Sequence, residues 1–405
     1  MKFLYNLIQL WEKYFLLLTN DLQKAIQLLD SQLLDVLISI TLFILIPALF
    51  LFFRKKLKFL SININFSLAV LLTLLLAFVF APIITDENPE FQKDLRMTKL
   101  LPPFSKVKVL HLKAGDISNS SAAEKFIAFK NQIVKQSYAN NIIFIDNIKR
   151  KPDKIIYLQK EKSGELDLNR VQLKNNKSIV TNKSFILGTD EFGRDIFTRL
   201  VYGVRISILV GLGSVVVSLL IGLSLGFIAG TRGGIIDIIF SRLTDLFLAF
   251  PIIYLIILIL AMFGNSLLTV IIVLGLSGWM SLFKIVKSEV LSVKNKDYIT
   301  SAVMMGLPKM TILTKEILPV IMIPIIVNVI FQFSNVILAE SALSYLGLGT
   351  GNSYPSWGAM IESGQQYITK AWWMILFPGI ILIFTLFSAN NLGKNLNKAN
   401  ISVMH

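Results

Sequence analysis

Ile206-Ser207-Ile208-Leu209-Val210-Gly211-Leu212-Gly213-Ser214-Val215-Val216-Val217-Ser218-Leu219-Leu220-Ile221-Gly222-Leu223-Ser224-Leu225-Gly226-Phe227-Ile228-Ala229-Gly230 runs through this sequence without a single charge. About 20 apolar residues suffice to cross the hydrocarbon core of a bilayer as a helix. In that layer the backbone has no water to bond and must bond to itself, so a spanning helix is the expected form. Similar runs follow at about 243–264, 266–286, 319–342 and 371–390, and two precede, Leu33–Phe53 and Ile62–Ile84. The runs are continuous and not alternating, which argues against a β-barrel. The expected fold class is an all-α polytopic membrane protein with about seven transmembrane helices. Composition agrees: 54% of residues are hydrophobic and 16% charged, against roughly 25% charged in soluble domains.

Lysine and arginine flanking the runs set the expected orientation, since such charges stay on the cytoplasmic side. Arg54 to Lys58 lies between the first two runs, which puts the N-terminus and residue 85 outside. Arg232 and Arg242 place the next connection inside, uncharged Met262-Phe263-Gly264-Asn265 suits the outside, and Lys284, Lys287, Lys294 and Lys296 lie inside. Gly347 to Lys370 is then outside, and the tail with Lys394 and Lys398 inside. Residues 1–32 carry Leu7, Ile8, Leu10, Trp11, Tyr14 and Phe15 at helical spacing and read as an interfacial amphipathic segment. The first long apolar run begins near Leu33, too late for a cleaved signal peptide. The parts are 1–32; an extra N-terminal span and basic loop at 33–58; a further span at 59–84; an insert at 85–185; a core at 186–392; and a cytoplasmic tail at 393–405.

The insert is rich in Lys, Asn, Asp and Glu, with Ile142-Ile143-Phe144-Ile145 and Lys154-Ile155-Ile156-Tyr157 reading as strands. It is long enough for a small α/β or β-rich domain. Its excess of lysine conflicts only weakly with an extracytoplasmic place, because long loops translocate largely regardless of charge.

Several chemistries are excluded. The net charge of +15 flanks spans and lacks the aromatic-basic alternation of a single-strand binder, so nucleic acid is not an expected partner. Cysteine is absent, which removes disulfides and thiolate metal sites. His111 and His405 are the only imidazoles and complete no Ser/His/Asp set. No G-x-x-x-x-G-K-[ST] occurs, so no phosphate-cradling loop of that type is present. No metal or cofactor is expected on the chain, and it is not expected to be an enzyme by itself.

A polar interruption stands out: Asp297-Tyr298-Ile299-Thr300-Ser301-Ala302-Val303-Met304-Met305-Gly306-Leu307-Pro308, closing at Ile317-Leu318-Pro319. Asp297 suits a helix cap before Tyr298. Gly306 suits a left-handed helix end, and Pro308 the first turn of the next helix. Pro319 marks the start of the next span. Ser301 and Ala302 are small and would let another surface approach closely. A plain cytoplasmic loop would read the same way. Its spacing resembles the EAA loop of ABC-importer permeases: a small-residue pair, a Gly four positions later, then Ile-Leu-Pro. Thr300 stands at the loop's name-giving acid.

A second block, Leu187-Gly188-Thr189-Asp190-Glu191-Phe192-Gly193-Arg194-Asp195-Ile196-Phe197-Thr198-Arg199-Leu200-Val201-Tyr202-Gly203-Val204-Arg205-Ile206-Ser207, resembles the signature of the dipeptide/oligopeptide permease family, C-type subunit. Two readings stay open: Arg194 pairs with Asp195, or Asp190 caps the helix that holds them. A structural elbow and direct substrate contact are both possible roles. Ala229-Gly230-Thr231-Arg232-Gly233-Gly234 with Asp237, Arg242 and Asp245, Glu340 to Gly349, and Pro355-Ser356-Trp357-Gly358-Ala359-Met360 are similar to further family elements. The resemblance covers roughly 187–392; the tail Gly393-Lys394-Asn395-Leu396 departs from it.

The resemblance implies an ATP-driven importer of di- and oligopeptides in the bacterial cytoplasmic (inner) membrane, working by alternating access. This chain would be a permease subunit beside a second homologous permease, two ATP-binding subunits that carry ATP-Mg, and an extracytoplasmic substrate-binding protein. The loop at about 288–318 would dock the ATPase through Tyr298, Ser301, Ala302 and the turn at Gly306. Glu340, Trp357 and Gly358 would line the translocation path or its gate; a hydrogen bond from Glu340 to the Gly-rich turn is the plainer reading of that residue. Relatives with similar cores carry other solutes, such as nickel chelates. A membrane sensor with residues 85–185 as ligand domain lacks a cytoplasmic output domain. A self-sufficient secondary transporter would want internal repeats and mid-span ionisable groups, and neither is evident.

Overall fold

The computed structural model describes Thr41 and residues 66–85, 88–113, 142–174, 177–308, 311–350 and 355–404. The segments expected at 1–32 and 33–53 lie outside them, Thr41 apart. The chain divides into two compact units, one holding Leu75–Arg205 and Ser363–Phe377, the other Ile64–Leu74, Ile206–Glu362 and Pro378–His405.

The helices in chain order are α1 (Phe66–Ile84), α2 (Leu95–Thr98), α3 (Ile196–Arg232), α4 (Gly234–Ala249), α5 (Ile252–Phe263), α6 (Leu267–Lys294), α7 (Asp297–Met304), α8 (Leu318–Tyr345), α9 (Trp357–Gln365) and α10 (Trp373–Met404). Among the described residues four helical stretches are long and apolar enough to cross a membrane: Ile196–Arg232, Leu267–Lys294, Ile312–Tyr345 and Trp373–Lys398. A fifth is available if α4 and α5, bent by 86° to one another, form one crossing. The run expected as a single span at 243–264 is therefore two helices. Pro251 supplies no amide hydrogen and pushes the preceding residue out of the helical region. Phe250 is accordingly extended, with φ −89° and ψ 137°.

α3 is longer than the run that announced it and packs on α6 through a stripe of small residues. Ser214, Ser218, Gly222, Gly226 and Gly230 recur at every fourth position. Ser214 Oγ donates to the Ile271 carbonyl at 3.0 Å and Ser218 Oγ to that of Gly275 at 2.5 Å. A Cβ on Gly226 would stand 2.7 Å from Val286 Cβ and 3.0 Å from the Phe283 carbonyl. Lipid gives helices no hydrophobic reason to associate, so such close backbone approach supplies the adhesion. Gly226→Val is expected to cost about 1–3 kcal/mol by overpacking, seen as a lower melting temperature of the detergent-solubilised chain.

The start of α8 also differs from expectation. A π-helical turn, Ile312–Ile317, leads directly into it, so Pro319 stands in the first turn of α8 as expected while the helical stretch itself already begins at Ile312. The wider turn accommodates a residue that cannot donate to the helix ladder.

The insert is β-rich. Strands β1 (Ser105–His111), β2 (Ile142–Ile145) and β8 (Val180–Phe185) form one antiparallel sheet in the order β2-β1-β8. β3 (Asn147–Arg150), β4 (Lys154–Gln159) and β5 (Lys162–Asp167) form a second, and β6 (Leu173–Lys174) pairs with β7 (Lys177–Ser178). β1 feeds two cores, because successive strand side chains face opposite ways. Val107 and Val109 pack with Met97, Phe144 and Phe185, whereas Leu110 packs with Ile145, Ile155 and Val171. Both strand expectations, at 142–145 and 154–157, are met.

Candidate functional site

α7 is short, and its two faces differ. Ile299 and Ala302 are buried with Leu282, Val286, Val290 and Val293 of α6 and with Ile312, Ile317 and Ile321. Its N-cap is Lys296, and Asp297 is the first helical residue with no side-chain cap, which corrects the capping role expected of Asp297. The other end behaves as expected: Gly306 takes φ +75°. The Leu307 amide donates to the Ala302 carbonyl at 3.2 Å and the Gly306 amide to that of Val303 at 3.0 Å. These two bonds are a Schellman close, which satisfies carbonyls the helix leaves open. Pro308 then accepts from the amides of Thr311 and Ile312.

The surface this loop presents departs from the expected one at Ala302. Ala302 is 5% exposed and faces the core, so it offers nothing to a partner. Tyr298 and Ser301 are exposed, and so is the tip: Val303 at 60%, Met304 at 83% and Met305 at 74%. The pair of methionines was not singled out from the sequence. The signal was there, since two adjacent apolar residues before a helix-ending glycine cannot both face one core. Ile317 is buried under the loop, and Leu318 and Pro319 open α8 beyond it.

The second block forms a buried ionic elbow. Asp190 Oδ1 accepts from the amides of Phe192 and Arg194 at 2.9 and 2.8 Å, while Oδ2 accepts from Arg194 Nε at 2.6 Å. Glu90 bridges both arginines, at 2.8 Å to Arg194 and 2.7 Å to Arg199. Arg194 therefore pairs with Asp190 and Glu90, not Asp195. Asp195 caps α3, accepting from the Thr198 amide at 2.9 Å and hydroxyl at 2.6 Å. Asp190 ties the turn before the helix, not the helix itself. Glu90 stands 104 residues before Arg194, and no pattern near it pointed to this role.

The rest of the block locks the same turn. Thr189 Oγ1 donates to the Thr98 carbonyl and accepts from the Leu101 amide, and Trp373 Nε1 donates to the Thr189 carbonyl at 3.1 Å. Gly188 backs onto Leu101 and Trp373, and Gly193, at φ +71°, leaves no room for a Cβ beside Thr98. Arg205 Nε donates to the Phe78 carbonyl of α1 at 2.7 Å. Burial works against the Arg194 guanidinium, yet Asp190 and Glu90 hold it above its ordinary range. Burial, with Asp190 adding to it, pushes the Glu191 carboxyl above the usual carboxylate range. With side chains of Asp190, Arg194 and Arg199 only 5–6% exposed, these residues suit an elbow better than a surface for solute.

Glu340, Trp357 and Gly358 come together, but in a closed place. Glu340 is fully buried, as is Trp357. Glu340 Oε1 accepts from Ser344 Oγ at 2.7 Å, and among the described residues no lysine or arginine pairs with it. A Cβ on Gly349 would fall on Ser344 Oγ, and one on Gly358 would stand 2.6 Å from Ser341 Cα. The Trp357 amide donates to Ser207 Oγ at 3.4 Å. The hydrogen bond of Glu340 thus runs to Ser344 within α8 and not to the Gly-rich turn that follows, and none of the three faces open space in this conformation. No group of three or more His, Asp or Glu side chains that could hold a metal ion occurs among the described residues.

Long apolar helices, a short loop with an exposed apolar tip, and an ionic elbow before the first long helix together define a helical membrane protein. Residues 222–401 match the family described as binding-protein-dependent transport system inner membrane component. The di/tripeptide transport system permease protein DppC of Pseudomonas aeruginosa is 36% identical over 53% of this chain and 71% of its own. The dipeptide transport system permease protein DppC of Alkalihalophilus pseudofirmus is 40% identical over 52% and 70%. An inward-facing MetNI methionine ABC transporter chain aligns at 19% identity and a TM-score of 0.40, over 50% of this chain and 97% of that one. The chain belongs to the family of binding-protein-dependent transport system inner membrane components, the permeases of ABC importers.

Proposed function

We propose that this chain moves di- and oligopeptides across the bacterial inner membrane as one of two permease subunits of an ATP-driven importer. Two ATP-binding subunits hydrolyse ATP-Mg, and an extracytoplasmic binding protein delivers the peptide. The observation that carries the docking part of this reading is the apolar tip of α7, Val303 to Met305, standing exposed on a loop whose other face is packed into the core. Methionine-rich surfaces adapt to a partner's shape, and an exposed apolar patch on a polar loop marks a contact site. The peptide substrate rests on the names of the relatives.

The finer topology belongs to the same proposal. Seven spans, the N-terminus outside, the β-rich insert outside and the α7 loop inside satisfy the distribution of lysine and arginine. The insert contacts the binding protein or the second permease. Glu340, Trp357 and Gly358 form a closed gate at the end of α8, which opens when the helices rearrange. Affinity purification of the tagged chain from its own membrane tests the assembly. It should bring down a homologous permease and two ATP-binding subunits in stoichiometric amount. Recovery of the chain alone, under detergents that keep other ABC importers whole, would remove the reading.

A further inference from the structure

Lys284, Lys287 and Lys294 stand in the sequence as orienting charges, but each is engaged with the same neighbouring segment. Lys294 Nζ donates to the Thr231 carbonyl, in the last turn of α3, at 2.7 Å. Lys287 pairs with Asp237 and donates to Ser241 Oγ at 2.8 Å. Lys284 pairs with Asp245 at 2.9 Å. Asp237, Ser241 and Asp245 follow one another at four-residue steps, so they share one face of α4. The three lysines lie three and seven residues apart on one side of α6. The result is a ladder of rungs from the C-terminal half of α6 to the end of α3 and the length of α4.

Both ends of this ladder lead somewhere. α6 runs into α7 across only Asn295 and Lys296, and α7 is pinned to α6 by Ile299 and Ala302 against Val286, Val290 and Val293. A displacement of α7 is therefore a displacement of the end of α6. α4 runs into the 86° bend at Phe250 and Pro251, beyond which lies α5. Apart from the rungs, α4 meets α6 through Phe240 and Phe247 near Trp279 and Phe283, while Ile235, Ile238, Ile239 and Leu246 face outward. Apolar contacts have no direction and let helices slide; hydrogen-bonded ion pairs fix a register.

We propose that these lysine rungs transmit motion of α7 to α4 and so to the bend at Pro251, with Lys287 as the positioning residue. The inference rests on the reading of α7 as the ATPase dock. In an importer so built, loss of the central rung leaves ATP hydrolysis running while less of it becomes transport. Simple orienting charges would change only the amount of chain inserted the right way round.

The test is the number of ATP molecules hydrolysed per peptide taken up, measured with the full importer in proteoliposomes for K287M, D237N and the exchanged pair K287D/D237K. Co-purification of the ATPase subunits is measured alongside. The ratio should rise about fivefold or more in both single variants, with ATPase subunits still bound, and fall back toward wild type in the exchanged pair. An unchanged ratio in either single variant overturns the inference, and so does an exchanged pair that stays uncoupled. A K287M importer that no longer holds its ATPase also overturns it, because the rung then serves assembly and not transmission. Failure of the docking reading has a different sign: ATPase subunits would stay bound when the tip of α7 itself is charged.

Discussion

An importer carrying Met304→Asp and Met305→Asp together is expected to lose its ATPase subunits while the permease itself remains folded. Both side chains are more than 70% exposed and none of the buried set beneath α7 includes them. Surface substitutions of this kind cost little stability. In the proposed interface the same atoms would be desolvated, where truncating a central anchor costs about 2 kcal/mol or more, and a buried unpaired carboxylate adds to that. A combined loss of about 3 kcal/mol corresponds to roughly hundredfold weaker binding. Quantitative pull-down of the ATPase at graded concentrations reads this directly. Ala302→Asp is not an equivalent probe: it would place a charge in the core under α7 and disrupt the helix before any partner arrives.

Arg194→Ala should be the most damaging change outside the helices that cross the membrane. It removes the cation held between Asp190 and Glu90, and leaves Asp190, 5% exposed, with only Arg199, at 3.7 Å, as a pairing cation among the described residues. Breaking a buried pair from one side typically costs about 3–5 kcal/mol when the remaining charge is stranded, and the Arg199 that stays beside Asp190 puts the expected cost at the low end of that range. Glu90, a third exposed, contributes at the low end. Thermal unfolding of the solubilised chain should show a drop of several degrees, with the double change Arg194→Ala and Asp190→Ala recovering part of it. An Arg194→Ala chain that melts like the parent would mean that the elbow carries no stability.

The apolar run at 206–230 already told of a membrane-spanning helix, because length and hydropathy alone decide that question. Gly306 announced its turn, since a helix ending in the left-handed region wants glycine. Ile142–Ile145 and Lys154–Tyr157 announced strands for the same kind of local reason. What stayed hidden was mostly long-range. Glu90 became the partner of two arginines only once the chain had folded back over a hundred residues. The lysines of α6 looked like orienting charges because their acceptors, Thr231, Asp237, Ser241 and Asp245, sit on other helices. The inward turn of Ala302 depended on which side α6 approached. The break at Pro251 is marked by the proline, but the apolar run continues through it and its length alone reads as one span.

On the proposed function, this chain transports peptide only as part of an ATP-driven assembly. The most direct measurement is uptake of a labelled dipeptide into proteoliposomes that hold the chain with its second permease. The ATPase subunits, ATP and the binding protein are added singly and together. Accumulation is predicted only when all are present, and it should cease when ATP is replaced by a non-hydrolysable analogue. Equal accumulation by the permease pair alone, driven by an ion gradient or by the peptide's own gradient, would contradict the account.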